Sequence, residues 1–361
     1  MAEAPQTSEI TLESIGGWPE LISSLLDRQD LDAAHARAAM TNILSGSATP
    51  AQLIGFVVAL RAKGETPEEL SGLLDAVLEA ATLVPLDDAT RERAIDIVGT
   101  GGDRSHSINV STMSAIVVAG AGVPVCKHGA RAASSQCGTA DVLEALGVAV
   151  ELSPEGVKQC VERAGMGFCL AARYHPAFRF AAPSRREIGV PTVFNLLGPM
   201  ANPGRVKRQL IGVANPLVAE RMLASLRLHG SNSSWVVHGG GLDELTTTGP
   251  STVLELRGGQ VRTFSVDPVS LGLAPAISEE LVGGTPAFNA DVVRRVMAGE
   301  QGAHRHIVVL NAGAGLVVAD VASSLEEGVA MAAESIDSGR ANETLTKLIT
   351  ESQAALAEFG A

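Results

Sequence analysis

Asp96-Ile97-Val98-Gly99-Thr100-Gly101-Gly102-Asp103-Arg104-Ser105-His106-Ser107-Ile108-Asn109-Val110-Ser111-Thr112 is the stretch on which the reading of this chain turns. Ile95, Ile97 and Val98 make the short apolar run of a buried strand, which stops at the small-residue loop Gly99-Thr100-Gly101-Gly102. Asn109, Ser111 and Thr112 then open an apolar segment, Met113 to Val118, that reads as a helix with polar caps. Strand, glycine loop and polar helix start together offer backbone N–H groups to an anion such as phosphate. Glycine lets the main chain approach closely, and the first N–H groups of a helix have no partner within it. The loop matches neither a Walker A nor a GxGxxG pattern, and taken alone it fits an ordinary tight turn equally well.

Residues 123–147 repeat the pattern in other residues. Val123 to Cys126 reads as a strand, and Lys127, His128 and Arg131 bring positive charge. A small-residue loop follows, and Asp141 to Leu146 reads as helix. Two successive strand–loop–helix units imply parallel strands joined by helical crossovers. Both loops then emerge at the carboxyl ends of their strands, where open α/β sheets bind ligands. A pair of such loops can grip a ligand with several phosphates.

Composition limits the alternatives. The chain has 361 residues, 46% hydrophobic and 19% charged, enough for a substantial globular core. Aromatic residues are 3% and the net charge is −13, which argues against a nucleic-acid partner, since neither base-stacking platforms nor bulk positive charge are supplied. A phosphorylated ligand must therefore meet local charge, which Lys127 and Arg131 supply. Cys126, Cys137, Cys160 and Cys169 form no CxxC pair and are expected to be free thiols in a reducing compartment. No signal peptide and no run of 18 apolar residues is apparent, so a cytoplasmic protein without a membrane partner is expected.

Elsewhere the chain reads in two styles. From Trp18 to about Thr90 the periodicity is helical, with helix starts at Thr49-Pro50 and at the capping box Thr66-Pro67-Glu68-Glu69. From Ile95 strands and helices alternate, with strands expected at 95–98, 123–126, 148–151, 167–170, 209–213, 234–238, 253–256 and 261–265. The last two, joined by Arg257-Gly258-Gly259-Gln260, read as an edge hairpin, and Ser153-Pro154-Glu155 starts a helix. The expected class is α/β: a small all-helical N-terminal lobe plus a large α/β domain with a mainly parallel central sheet.

The two loops together resemble the anthranilate phosphoribosyltransferase family. The resemblance is carried by Gly99-Thr100-Gly101-Gly102-Asp103, by Asn109-Val110-Ser111-Thr112, and by Lys127-His128-Gly129-Ala130-Arg131-Ala132-Ala133-Ser134-Ser135. It continues through the segments 185–199, 241–245 and 310–313, in order, from about Trp18 to the end. It implies a fold in which the helical lobe, 1–93, also takes a later segment at roughly 180–208 and carries a homodimer contact. The α/β part is then 94–179 and 209–361.

The resemblance also implies transfer of the phosphoribosyl group of 5-phosphoribosyl 1-pyrophosphate (PRPP) to anthranilate, with Mg²⁺ as cofactor, in tryptophan biosynthesis. Carried onto this sequence, PRPP-binding residues would be Gly99, Gly102, Asp103, Ser107, Asn109, Val110, Ser111, Thr112, Lys127, His128, Gly129, Ala130, Arg131, Ala132, Ala133, Ser134, Ser135 and Thr139. Ser111, Asp243 and Glu244 would hold the metal, since adjacent carboxylates are hard oxygen ligands. Gly99, Ala130 and Arg185 would meet anthranilate, Arg185 through a guanidinium–carboxylate fork. Tyr174-His175-Pro176 is a further candidate for the aromatic entry path. No residue is assigned as a general acid or base.

Two departures from the family pattern stand out. Ala130 replaces the usual Asn of Lys-His-Gly-Asn-Arg, and the glycine turn before Asp243 is one residue short. They leave open a transferase with the same donor and another aromatic acceptor. A non-catalytic nucleic-acid-binding relative is the more distant alternative, and a nucleoside phosphorylase fits poorly over 185–199.

Overall fold

The computed structural model describes residues 10–132 and 135–360. Helices α1 (Gly17–Leu26), α2 (Ala33–Leu44), α3 (Pro50–Lys63) and α4 (Pro67–Glu79) come first, followed by the short α5 (Asp88–Arg93). The alternating part begins with β1 (Ile95–Gly99), α6 (Val110–Gly120), β2 (Val125–Gly129), α7 (Thr139–Leu146), α8 (Pro154–Ala164), β3 (Met166–Leu170) and α9 (Ala171–Tyr174). After α10 (Ala182–Ile188) and α11 (Val193–Met200) come β4 (Arg208–Gly212), α12 (Ala219–Leu228), β5 (Ser233–Gly239), β6 (Ser251–Arg257) and β7 (Gln260–Val266). Helices α13 (Pro286–Met297), α14 (Ala303–Val318), α15 (Leu325–Asp337) and α16 (Arg340–Phe359) close the chain.

The chain divides into two compact units. One runs up to Ala81 and includes His175–Leu197; it is all-helical. Its helix starts follow the sequence rules: Thr49 and Gln52 cap α3, Thr66 and Glu69 cap α4, each as a reciprocal pair with proline in the first turn. Glu69 is fully buried, and beyond its capping bond it accepts from the Leu31 N–H at 2.9 Å and pairs with Lys63 at 3.0 Å.

The second unit, Thr82–Tyr174 with Gly198 onward, holds one seven-stranded sheet in the order β3-β2-β1-β4-β5-β6-β7. β3, β2, β1, β4 and β5 are parallel; β6 and β7 are antiparallel and form the expected edge hairpin across Gly258-Gly259. The sheet is wound outward in both directions from the β1–β4 pair. That pair is therefore the topological switch point, the place where the loops at the strand ends diverge and leave a crevice. α6 and α14 are buried along nearly their whole length in the core of this unit.

Four expectations change. Residues 148–151 form no strand: Val148, Ala149 and Val150 are buried, but the Ala149 N–H donates to Ser352 Oγ at 3.0 Å, and the Leu152 carbonyl accepts from Tyr174 Oη at 3.1 Å. Side chains satisfy the backbone there, so no ladder forms beyond the β3 edge. The second strand lies two residues later than the apolar run suggested, at Val125–Gly129, which carries Lys127 and His128 within the sheet. Residues 198–208 belong to the α/β unit, because Asn202 Nδ2 donates to Asp96 Oδ2 at 2.7 Å and to the Cys126 carbonyl at 2.8 Å. Residues 82–93 join the same unit, with the Val84 N–H donating to the Pro203 carbonyl at 3.1 Å.

Candidate active site

Gly99 ends β1 and Gly212 ends β4, paired in register at the switch point. The chain carrying Asp243 crosses directly above them. A Cβ at 212 would overlap the Asp243 backbone carbonyl, and one at 99 would overlap the Asp243 carboxylate. Two glycines are thus what allows the third segment to reach the strand ends. The Thr100 N–H donates to the Gly212 carbonyl at 3.0 Å, and the Gly101 N–H donates to Asp243 Oδ2 at 2.7 Å. The short turn before Asp243 closes tightly: the Leu242 N–H donates to the Gly239 carbonyl at 2.9 Å, with Gly240 and Gly241 at φ of 58° and 93°. Two positive φ values in sequence make this a turn that accepts glycine readily and side chains poorly.

Around this point opens a cleft of about 210 Å³. It is lined by Gly99, Asp103, Ser107, Asn109, Val110, Ser111, Lys127, His128, Gly129, Ala130, Ser135, Thr139, Asp243 and Glu244, all of them expected site residues. Val98, Gly101, Ser105, His106, Ile108, Cys137 and Gly138 line it too and were not anticipated. Gly102, Arg131 and Ala132 are exposed and outside the lining, and Thr112 is buried without reaching it. Ala133 and Ser134 lie outside the described residues. Arg131 is occupied elsewhere, paired with Glu144 and, at 3.1 Å, with Glu151. Asp141 ties the ends of its loop, accepting from the Ala132 N–H at 2.9 Å and the Gly138 N–H at 2.8 Å.

The electrostatics are those of buried opposite charges. Lys127 is buried, and its Nζ donates to the Ile97 carbonyl and, at 3.3 Å, to Ser111 Oγ. Burial lowers its pKa, while the negative charges of Asp96, Glu244 and Asp243 pull it back up. Asp96, beneath it, accepts from the His128 N–H at 3.1 Å and from Asn202; burial pushes its carboxyl up to about 6 against the opposing pull of Lys127. Burial also raises Asp243 to about 7, helped by the negative charge of Asp103. Glu244 is raised well above its ordinary value by burial and by the charge of Asp243, against the opposing pull of Lys127.

Carboxylates driven toward protonation by burial and by each other are groups a divalent cation would hold ionised. The donor chemistry of Asp243, Glu244 and the Ser111 hydroxyl fits Mg²⁺. Among the described residues no closed set of three or more His, Cys, Asp or Glu converges on one point.

Helix α6 departs from the sequence reading at its cap. Asn109 occupies the N-cap, but no side chain caps the helix. Asn109 Oδ1 instead accepts from Asn289 Nδ2 at 2.8 Å. Asn311, fully buried in α14, was part of a recognised segment but not of the expected site. Its Oδ1 accepts from the Leu245 N–H at 3.0 Å, and its Nδ2 donates to the Leu245 carbonyl at 2.8 Å and the Ile307 carbonyl at 2.9 Å. It clamps the residue after Glu244. Asn311→Ala leaves both polar groups of Leu245 unpaired in the core, and a loss of about 2–4 kcal/mol in denaturant unfolding is expected.

Arg185 belongs to the helical unit, on α10. Its guanidinium lies 4.8 Å from the Phe194 ring centroid, Phe194 meets Phe178 edge-on at 5.4 Å, and Phe178 stacks on His175 at 5.2 Å. Burial lowers the Arg185 pKa, and among the described residues it has no carboxylate partner. Tyr174 belongs to the α/β unit and is fully buried.

Known proteins carry the same two parts. Residues 19–81 match a model described as the helical bundle domain of a glycosyl transferase family, and residues 91–342 match the α/β domain of that family. An anthranilate phosphoribosyltransferase of Salinispora arenicola is 50% identical over 92% of this chain and 96% of its own length. One from a Nocardioides species is 51% identical over 92% and 98%. The crystal structure of the Thermus thermophilus anthranilate phosphoribosyltransferase superposes with a TM-score of 0.87 at 40% identity, covering 92% of this chain and 99% of that one. The Saccharomyces cerevisiae enzyme in complex with PRPP and Mg gives 0.85 at 27% identity, over 93% and 98%.

Proposed function

We infer that this chain, which belongs to the anthranilate phosphoribosyltransferase family, transfers the 5-phosphoribosyl group of PRPP to the amine of anthranilate, giving N-(5-phosphoribosyl)anthranilate and pyrophosphate in tryptophan biosynthesis. The observation that carries the reading is the cleft at the β1–β4 switch point. There two glycine-bearing loops, an uncapped helix start and a buried carboxylate pair converge on one space.

The chemistry asks little of acid–base groups. The aniline nitrogen of anthranilate is neutral near pH 7 and needs no strong base. The barrier lies in departure of pyrophosphate and in positive charge developing on the ribose. N–H groups of the loop and of α6 would stabilise the leaving charge, and the fixed cleft would hold donor and acceptor in line. Mg²⁺, held by Asp243, Glu244 and the Ser111 hydroxyl, would neutralise charge on the pyrophosphate. Lys127 sits behind Ser111 and balances the carboxylates, so its proposed contribution is to keep that cluster compatible with an anion. Arg185, desolvated and without a carboxylate of its own, is proposed to take the carboxylate of anthranilate.

Ala130 lines the cleft without an amide to offer an acceptor. A transferase with another aromatic acceptor remains the second reading. The loss of anthranilate fluorescence on mixing enzyme, PRPP and Mg²⁺ tests the proposal, with a panel of aromatic amines and nucleobases alongside. Faster turnover of any other acceptor would overturn the anthranilate assignment. A homodimer contact on the helical unit is proposed as well; Leu26 and Val58 expose apolar side chains there, 69% and 44% accessible. Sedimentation equilibrium should give twice the 37.1 kDa chain mass.

A further inference from the structure

The loop from Gly99 to Asn109 is anchored at its base by Thr100 and Gly101, but its far limb is held by a distant part of the sequence. The Gly283 N–H donates to the His106 carbonyl at 2.7 Å, and the Ile108 N–H donates to the Leu281 carbonyl at 3.0 Å. Val282 thus bridges Ser107 in antiparallel fashion. The limb needs such a brace. Arg104 and His106 sit at φ of 59° and 52°, a region residues with a Cβ occupy only when their surroundings impose it.

Asn289, early in α13 and 2% exposed, joins this brace to helix α6. Its Oδ1 accepts from the Gly284 N–H at 2.8 Å, and its Nδ2 donates to Asn109 Oδ1 at 2.8 Å. An asparagine at an N-cap ordinarily turns back to accept an N–H of its own helix. Asn109 is drawn the other way, toward Asn289 and the Cys137 Sγ at 3.5 Å. The Asn109 side chain therefore caps none of the N–H groups that open α6.

We propose that Asn289 is a positioning residue for the phosphoribosyl donor: by holding Asn109 and the 281–284 brace together it keeps the start of α6 uncapped and the Asp103–Ser107 limb in place. This rests on the donor reading given above. Asn289→Ala is expected to raise the dissociation constant for PRPP with Mg²⁺, and the KM for PRPP, about tenfold, the equivalent of one hydrogen bond. The KM for anthranilate should stay within about twofold. Because the effect runs through Asn109, it should largely vanish when Asn289→Ala is added to Asn109→Ala.

Calorimetry with PRPP and Mg²⁺ alone reads the donor constants, and a thermal melt checks that each variant folds. An unchanged donor constant in a folded Asn289→Ala protein, or an equal loss in the Asn109→Ala background, overturns the inference. If that variant fails to fold, Gly283→Ala serves, since its Cβ would lie 2.9 Å from both the Ser107 carbonyl and Asn289 Oδ1. It too should weaken donor binding, and unchanged binding overturns the inference. A wild-type chain that binds no PRPP fails the functional reading itself, an outcome distinct from wild type and variant binding alike.

Discussion

Asp243→Ala and Glu244→Ala are each expected to lower kcat/KM on the order of a thousandfold, the scale of removing a preorganised group facing developing charge. Steady-state assays across a range of Mg²⁺ concentrations measure it. The residual activity should demand more Mg²⁺ than wild type, and unchanged kinetics at every concentration would remove both residues from the site. The same carboxylates give a pH signature. Burial and Asp103 raise Asp243 to about 7 in the fold, whereas a free aspartate titrates near 4. The folded state therefore binds the proton more tightly than the unfolded state. The contribution is intact below about pH 4 and is lost as pH rises through about 7, a change on the order of a few kcal/mol. In EDTA the melting temperature should fall between pH 5 and pH 8, Asp243→Asn should flatten that fall, and Mg²⁺ should restore stability most at the alkaline end.

The two switch-point glycines give the second large effect, and they separate fold from chemistry. At Gly212 a Cβ meets the main chain of Asp243, which has nowhere to move without dragging the turn clamped by Asn311. Gly212→Ala should cost about 3 kcal/mol or more, as forced overpacking does, and should depress both melting temperature and activity. At Gly99 a Cβ meets chiefly the Asp243 carboxylate, which can rotate away at the cost of its bond from the Gly101 N–H, and the Asp243 carbonyl lies farther off at 3.3 Å. Gly99→Ala should melt close to wild type yet lose turnover on the order of a hundredfold. Equal stability losses in the two variants would mean that Asp243 is not held as described.

Much of this was legible in the sequence, because its signals are local. The apolar runs Ile95–Val98 and Val123–Cys126 pointed to the two strand–loop–helix units, the second strand falling two residues later, and the Thr-Pro starts to α3 and α4. The hairpin was visible in Gly258-Gly259. Most of the expected site residues within reach of description line one cleft, because successive parallel strands deliver their loops to the same sheet edge.

What was not legible depends on partners far away in the chain. Val148–Glu151 reads as a strand, but the Ala149 N–H goes to Ser352, and one residue beyond the segment the Leu152 carbonyl goes to Tyr174. Arg131 reads as a phosphate ligand until Glu144 and Glu151 are seen beside it. Asn109 reads as a cap until Asn289 claims its side chain, and nothing near either residue announces the pairing. The boundary of the helical unit was misjudged for the same reason: Asn202 is bound to Asp96 and Cys126, contacts that no periodicity encodes.

The central claim is that one cleft at the β1–β4 crossing takes up a pyrophosphate together with a divalent ion held by Asp243 and Glu244. Titration calorimetry of PRPP into the protein, in Mg²⁺ and again in EDTA, tests it most directly. Saturable one-to-one binding is expected with Mg²⁺, weakened at least about tenfold by EDTA or by Glu244→Ala. Binding of equal strength in EDTA and in the Glu244→Ala protein would contradict the account.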